Sequence, residues 1–182
     1  MTEIQATDSR FGWATPANIV TLGRVALLPV FAVTVLQAHW ALGLVILVTI
    51  SASDFVDGQL ARRLDQVTLF GTRLDPIADR LTVLTVVGSY VATHLLPWWT
   101  LVALILTDLV LLVLLGRQKP PPVGWVGKVR TALLLVGLPL LLAGQLWRVA
   151  VVEEAAYWAV LVGAAGHVIA GVGYGVRIRA AR

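Results

Sequence analysis

The sequence predicts an all-α integral membrane protein with six transmembrane helices. The composition is the first observation behind this fold class: 58% of the 182 residues are hydrophobic and only 13% are charged. Soluble domains carry about 25% charged residues, and the mean hydropathy of +0.86 agrees with a membrane chain. The second observation is that six segments approach the ~20 mostly apolar residues with which a helix crosses a bilayer.

The six apolar segments follow one another with short connections. We therefore expect one six-helix membrane domain over residues 18–182, preceded at 1–17 by a polar or interfacial segment that lacks the features of a signal peptide. The predicted spans are, in order, Ile19–Ala38, Trp40–Leu60, Thr72–Leu95, Trp98–Leu115, Val129–Leu146 and Ala155–Val176.

The basic residues predict the orientation of these spans. If the N-terminus is cytoplasmic, thirteen of the 14 Lys and Arg residues lie inside and only Arg148 lies outside. The positive-inside rule therefore favours an N-in, C-in protein of the cell membrane. The net charge of +4 fits the anionic lipids of the cytoplasmic leaflet, and we expect no nucleic-acid partner.

Five of the 10 acidic residues lie in one stretch, SDFVDGQLARRLDQVTLFGTRLDPIADR. Asp54 and Asp57 are near the end of the second span, and Asp75 and Asp79 are near the start of the third. Helical spacings of three and four place each pair on one face, so the four carboxylates converge at the cytoplasmic edge of the membrane. Because four such carboxylates repel one another, the cluster predicts a bound divalent cation, Mg²⁺, Mn²⁺ or Ca²⁺.

Neighbouring residues indicate what this cation would accompany. Gly58 and Gly71 carry no side chain, so a ligand can approach the backbone closely. Arg62 offers a planar fork of donors that suits a phosphate group. Metal, glycines and arginine together predict a diphosphate ligand.

The complete spacing, D-x2-D-G-x2-A-R-x8-G-x3-D-x3-D, resembles the signature of the CDP-alcohol phosphotransferase (CDP-alcohol phosphatidyltransferase) family. The resemblance implies that family's six-helix fold, a homodimer, and two divalent ions, Mg²⁺ or Mn²⁺. It further implies that Asp79 is the general base and shares the metal site with the other three aspartates, and that the remaining positions bind CDP. The eight fixed positions are Asp54, Asp57, Gly58, Ala61, Arg62, Gly71, Asp75 and Asp79.

The resemblance also implies the substrates. The donor would be CDP-diacylglycerol, and CMP would leave. The stretches PANIVTLGRVALLPV, LDPIADR and GWVGKVRTALLLVGLPLLL are similar to phosphatidylglycerophosphate synthases, which favours glycerol 3-phosphate as acceptor. Four basic residues are candidates for an acceptor pocket, or alternatively are cations of the membrane surface: Arg24, Arg73, Lys128 and Arg130.

One departure keeps a second acceptor open. Where typical phosphatidylglycerophosphate synthases carry an Arg-Glu pair on the fourth span, this chain has Thr107 and Asp108. The fourth span resembles the actinobacterial type, which includes cardiolipin synthases that use phosphatidylglycerol; inositol phosphate ranks third. We expect Asp108 to make a polar contact within the bundle rather than to touch substrate. We expect His167 to be a buried hydrogen-bonding residue.

A function of another class is a cation transporter that uses the carboxylates as its ion site. Transporters favour sites near the bilayer midplane, with repeated halves. Here the acidic residues lie at one edge of the membrane. The acidic residues of the segment 98–182 are only Asp108, Glu153 and Glu154. A catalytically idle scaffold is the third alternative, and the complete signature argues against it.

Overall fold

The computed structural model describes residues 15–63, 69–115 and 125–180. Within its helices, the side chains at 17, 54–63, 69–70, 72–73, 114–115, 126 and 174–180 lie outside this description. All regular elements in the described part are α-helices, which confirms the predicted all-α fold. The helices are α1 (Pro16–Leu36), α2 (Trp40–Arg63), α3 (Leu69–Ala92), α4 (Trp98–Leu115), α5 (Trp125–Trp147) and α6 (Ala150–Ala180).

Local sequence explains where α1 begins. The side chain of Thr15 accepts a hydrogen bond from the backbone N–H of Asn18, at 3.3 Å. Pro16 occupies the first helical position, where its missing N–H costs nothing and its fixed φ suits the helix. A threonine cap followed by proline therefore starts α1 three residues before the predicted Ile19.

Three tight turns join α1 to α2, α3 to α4 and α5 to α6, at the end of the bundle away from the Thr15 cap. Each contains a residue with positive φ, namely Ala38 at 57°, His94 at 60° and Arg148 at 53°. After each of them, a backbone N–H reaches back five residues, as in a Schellman motif. These bonds are His39 N to Thr34 O at 2.9 Å, Leu95 N to Tyr90 O at 2.8 Å, and Val149 N to Gly144 O at 3.1 Å. The second turn ends α3 at Ala92 rather than at the predicted Leu95.

The helices pack around a core formed by α1–α3 of the N-terminal half and α4–α6 of the C-terminal half. α1 contacts α2 and α3, α5 contacts α6 and α2, and α4 contacts α6 and α3. Phe31 and Tyr90 are fully buried, with ring centroids 6.3 Å apart. The Tyr90 hydroxyl donates a 2.8 Å hydrogen bond to the backbone carbonyl of Leu138. This bond ties the last turn of α3 to α5.

Small residues bring α5 and α6 close together. A Cβ added to Gly144 would stand 2.9 Å from Cα of Glu153, and one added to Gly137 would stand 3.0 Å from Cγ2 of Val160. Separations this short leave no room for a larger side chain without movement of a neighbour. Glycine therefore sets the distance between these two helices.

The described helices fit a membrane environment. Three of them are long and apolar enough to cross a bilayer, over Asn18–Leu36, Gly127–Trp147 and Ala150–Gly173, and two shorter apolar stretches are Trp40–Ser53 and Trp98–Val113. Large apolar side chains such as Val113 and Val151, 74% and 78% exposed, cover the outer surface, as lipid contact requires. The chain is an all-helical membrane protein. The count of six spans, the N-in orientation and the domain boundary at residue 18 stay predictions.

Candidate active site

Two residues of α1 hold the two carboxylates that α3 contributes to the signature. Thr21 Oγ1 donates a hydrogen bond to Oδ1 of Asp75 at 3.3 Å. Arg24 Nη1 donates to Oδ1 of Asp79 at 2.9 Å. The pairs match because residues three or four apart lie on the same face of a helix, and α1 and α3 run side by side in the same direction.

The two members of the ion pair differ sharply in exposure. The side chain of Arg24 is 2% exposed, whereas that of Asp79 is 57% exposed. A buried guanidinium is stable only if it is paired with charge and hydrogen bonded. The guanidinium of Arg24 is therefore fixed within the bundle, and it holds the Asp79 carboxylate, which faces accessible space.

The exposed carboxylates fit the chemistry predicted for them. Asp75 is also exposed, so two hard oxygen donors stand one helical turn apart and remain accessible to a cation. Mg²⁺ and Mn²⁺ prefer such ligands. Over the described side chains, no group of three or more His, Cys, Asp and Glu forms a metal-binding set. The predicted set has four members, and two of those side chains lie outside the described part.

Those two aspartates, and most of the predicted CDP-binding positions, lie on α2. This helix continues to Arg63 and places them in its last three turns. Gly71 is buried in the first turn of α3. The side chains outside the described residues are those of Asp54, Asp57, Ala61 and Arg62, and the placement of Gly58 is also outside them. Their predicted roles are untested.

The predicted acceptor-binding cations are distributed over three helices. Arg24 is the partner of Asp79, and the side chain of Arg73 lies outside the described part. Lys128 is exposed, and its Nζ lies 5.8 Å from the ring centroid of Trp125, within the range of a cation–π contact. Arg130 contacts His167. These placements leave the acceptor pocket a prediction.

A second polar cluster connects α4, α5 and α6. His167 Nε2 lies 3.1 Å from Oδ1 of Asp108, and Arg130 Nη1 is hydrogen bonded to His167 Nδ1. The polar bundle contact expected of Asp108 is thus present, and His167 is hydrogen bonded as predicted, with 13% of its side chain exposed. We call these three residues the α4–α6 network.

Sequence reasoning missed two parts of these clusters. Thr21 was not a candidate, although it lies three residues before Arg24 on α1 and Asp75 lies four before Asp79 on α3, so both pairs share one helix face. The link from Arg130 to His167 was also missed. The signal for it was that Asp108 and His167 are ionisable residues within apolar helices, and such residues are usually paired.

Comparison with known proteins agrees with the signature. The chain resembles a Mycobacterium tuberculosis protein named "Putative cardiolipin synthase", with 39% identity over 139 residues, 72% of this chain and 66% of the relative. For the Streptomyces coelicolor "Cardiolipin synthase (CMP-forming)" the identity is 35% over 138 residues, 69% of this chain and 63% of the relative. The match thus spans less than two thirds of the length of these two relatives.

A third relative bears the other expected name. The Bacillus subtilis "CDP-diacylglycerol--glycerol-3-phosphate 3-phosphatidyltransferase" is 32% identical over 149 residues, 71% of this chain and 77% of the relative. The family model for CDP-alcohol phosphatidyltransferase matches residues 14–169, which include every position of the signature. The resemblance drawn from the sequence is confirmed, and the chain belongs to the CDP-alcohol phosphatidyltransferase family.

Proposed function

We propose that this protein is a metal-dependent phosphatidyltransferase that transfers the phosphatidyl group of CDP-diacylglycerol to glycerol 3-phosphate and releases CMP. The observation that carries the proposal is the Arg24–Asp79 pair, in which a buried cation orients an exposed carboxylate at the last position of the signature. A carboxylate held in this way is suited to accept a proton from a substrate hydroxyl.

The proposed step balances as follows. The hydroxyl oxygen of the acceptor attacks the phosphorus that bears the diacylglycerol, and Asp79 takes the hydroxyl proton. The bond from that phosphorus to the oxygen of the CMP phosphate breaks, and CMP leaves with the electron pair. Asp79 lies on a helix that is tied to α1, so its carboxylate is in place before the acceptor binds and needs little reorganisation during the reaction.

The remaining signature residues have binding roles in this proposal. Two divalent ions, Mg²⁺ or Mn²⁺, when bound, would neutralise the diphosphate and the departing phosphate. Arg62 would donate to the diphosphate, while Gly58, Ala61 and Gly71 would leave space for the CDP moiety. The four aspartates that would hold the ions are Asp54, Asp57, Asp75 and Asp79.

A second acceptor is favoured by one observation. The relatives named as cardiolipin synthases are 39% and 35% identical to this chain, whereas the Bacillus subtilis glycerol 3-phosphate enzyme is 32% identical. Phosphatidylglycerol is therefore the alternative acceptor, with cardiolipin as the product. In both cases we propose a homodimer in the cell membrane with its site on the cytoplasmic side, where the basic residues place that end of the spans.

The test is a reaction with purified protein in detergent. CDP-diacylglycerol and Mg²⁺ or Mn²⁺ are mixed with glycerol 3-phosphate, phosphatidylglycerol or inositol phosphate in separate reactions, and released CMP is measured. We expect CMP in an amount equal to the new phospholipid with one acceptor. If no acceptor releases CMP, the enzyme hypothesis is wrong, and cation uptake into proteoliposomes then tests the transporter alternative.

A further inference from the structure

The α4–α6 network sits where three helices approach one another closely. A Cβ added to Gly166 would stand 3.1 Å from Cβ of Arg130, and one added to Gly163 would stand 3.0 Å from Cγ of Leu134. A Cβ on Gly171 would collide with Thr107 of α4. Glycines on either side of His167 thus let α4 and α5 close around its ring. This close packing holds the three side chains of the network together.

The hydrogen bonds fix the protonation of His167. A guanidinium N–H can only donate, so Nδ1 of His167 must accept the bond from Arg130. The ring proton is then on Nε2, which donates to the carboxylate of Asp108. The network therefore consists of one carboxylate, one neutral imidazole and one guanidinium. The negative charge of Asp108 balances the positive charge of Arg130 inside an apolar bundle.

Contacts along the bundle place this network at the same end as the Arg24–Asp79 pair. A Cβ on Gly43, near the start of α2, would lie close to the ends of α1 and α5, 3.2 Å from Val35 and 3.6 Å from Leu142. The first halves of α1 and α5, which carry Arg24 and Arg130, are therefore together toward the other end of the bundle.

Arg130 retains capacity for an anion. Its side chain is half-buried, and its Nε is buried without a hydrogen-bond partner among the described residues. A buried donor of this kind is costly unless something accepts its hydrogen bond. Because the side chain is only half-buried, a phosphate group that reaches its accessible part would bring acceptor oxygens to the guanidinium that carries this Nε.

We propose that Asp108 and His167 are positioning residues that hold Arg130 for the phosphate group of the acceptor substrate. Asp108 fixes the tautomer of His167, and His167 fixes the guanidinium by accepting its Nη1–H. Both glycerol 3-phosphate and phosphatidylglycerol carry the phosphate group that this arrangement would bind. The inference rests on the proposed function, since it assigns part of the acceptor site of that reaction.

The test compares two substitutions of His167. In His167→Gln the amide retains one acceptor and one donor, so it can still connect Arg130 to Asp108. In His167→Leu both are lost in a side chain that suits the bundle. We expect His167→Leu to raise the KM for the acceptor about tenfold, as loss of one bond to a charged group would. We expect kcat and the KM for CDP-diacylglycerol to stay within about twofold.

His167→Gln should restore the acceptor KM to within about threefold of the unmodified protein, because it preserves the hydrogen-bond connection. The matched control is His39→Leu, which makes the same change at an exposed histidine in the α1–α2 turn. It should leave kcat and both KM values unchanged. Glycerol 3-phosphate and phosphatidylglycerol are tested in separate reactions, and the effect should follow whichever acceptor the unmodified protein uses.

Three outcomes decide the inference. An unchanged acceptor KM in His167→Leu, or a parallel change in both KM values and kcat, would overturn it. If His167→Leu loses its thermal transition in detergent, Asp108→Leu, which removes the acceptor for His167 Nε2–H, decides instead: a raised acceptor KM with unchanged kcat supports the inference, and an unchanged one overturns it. Absence of CMP release from the unmodified protein with every acceptor would refute the proposed function itself.

Discussion

Replacement of Arg24 by methionine tests whether the buried guanidinium orients Asp79. Methionine is flexible and apolar, so it can fill the buried position without introducing a charge. The substitution removes the 2.9 Å bond from Nη1 to Oδ1 of Asp79. The carboxylate then keeps its place on α3 but loses a partner that fixes its direction.

The magnitude follows from the exposure of the pair. A hydrogen bond to a charged group contributes about 1.5–3 kcal/mol. Because the Asp79 side chain is 57% exposed, solvent screening places this bond at the lower end, near ~1.5 kcal/mol. Since 1.36 kcal/mol corresponds to a factor of ten in rate, we expect kcat for CMP release to fall about tenfold in Arg24→Met.

The kinetic parameter that changes separates two roles for Arg24. If Arg24 orients the base, kcat falls at saturating acceptor and the acceptor KM stays nearly constant. If Arg24 binds the acceptor, as the sequence alone suggested, the acceptor KM rises instead. Arg148→Met is the matched control, because it makes the same chemical change at an exposed residue. A kcat within twofold of the unmodified protein, in folded Arg24→Met, would refute the orienting role.

Three further changes, one of them with a matched control, have defined outcomes. Asp79→Asn removes the proposed base, so CMP release should fall on the order of 10²–10⁴-fold while the thermal transition in detergent remains; a near-normal rate would exclude Asp79 as the base. Tyr90→Phe loses its 2.8 Å bond to a carbonyl of α5, and denaturation in detergent should show a loss of about 1 kcal/mol, with an unchanged stability contradicting the bond. Gly144→Ala would place a Cβ 2.9 Å from the backbone of Glu153 and should destabilise by about 1–3 kcal/mol. Gly23→Ala, with nothing within 4 Å, should be neutral or stabilising, and equal effects at both glycines would refute the packing argument.

Local patterns in the sequence predicted the helices well. All six predicted segments correspond to helices, and α4 matches its predicted bounds, because proline and tryptophan mark where it starts. The ends that differed depend on backbone geometry. α3 stops early since His94 adopts a positive φ, a conformation that is uncommon for a residue other than glycine and leaves no clear trace in composition.

The polar pairs were less accessible from sequence. Arg24 and Asp79 are 55 positions apart, and Asp108 and His167 are 59 apart. Their contact depends on which helices are neighbours and how each is rotated about its axis. Hydropathy identifies spans but does not give that rotation, which packing determines. The signature showed that Asp79 matters, but only the packing of α1 against α3 showed which residue holds it.

Two carboxylates of α3 are held by the same helix, α1. Residues three or four apart share one face of a helix, so Asp75 meets Thr21 while Asp79 meets Arg24. Because a buried guanidinium without an opposite charge is costly, the Arg24–Asp79 pair disfavours rotations of α3 that would separate the two side chains. The pair therefore sets the direction in which the carboxylates of α3 face.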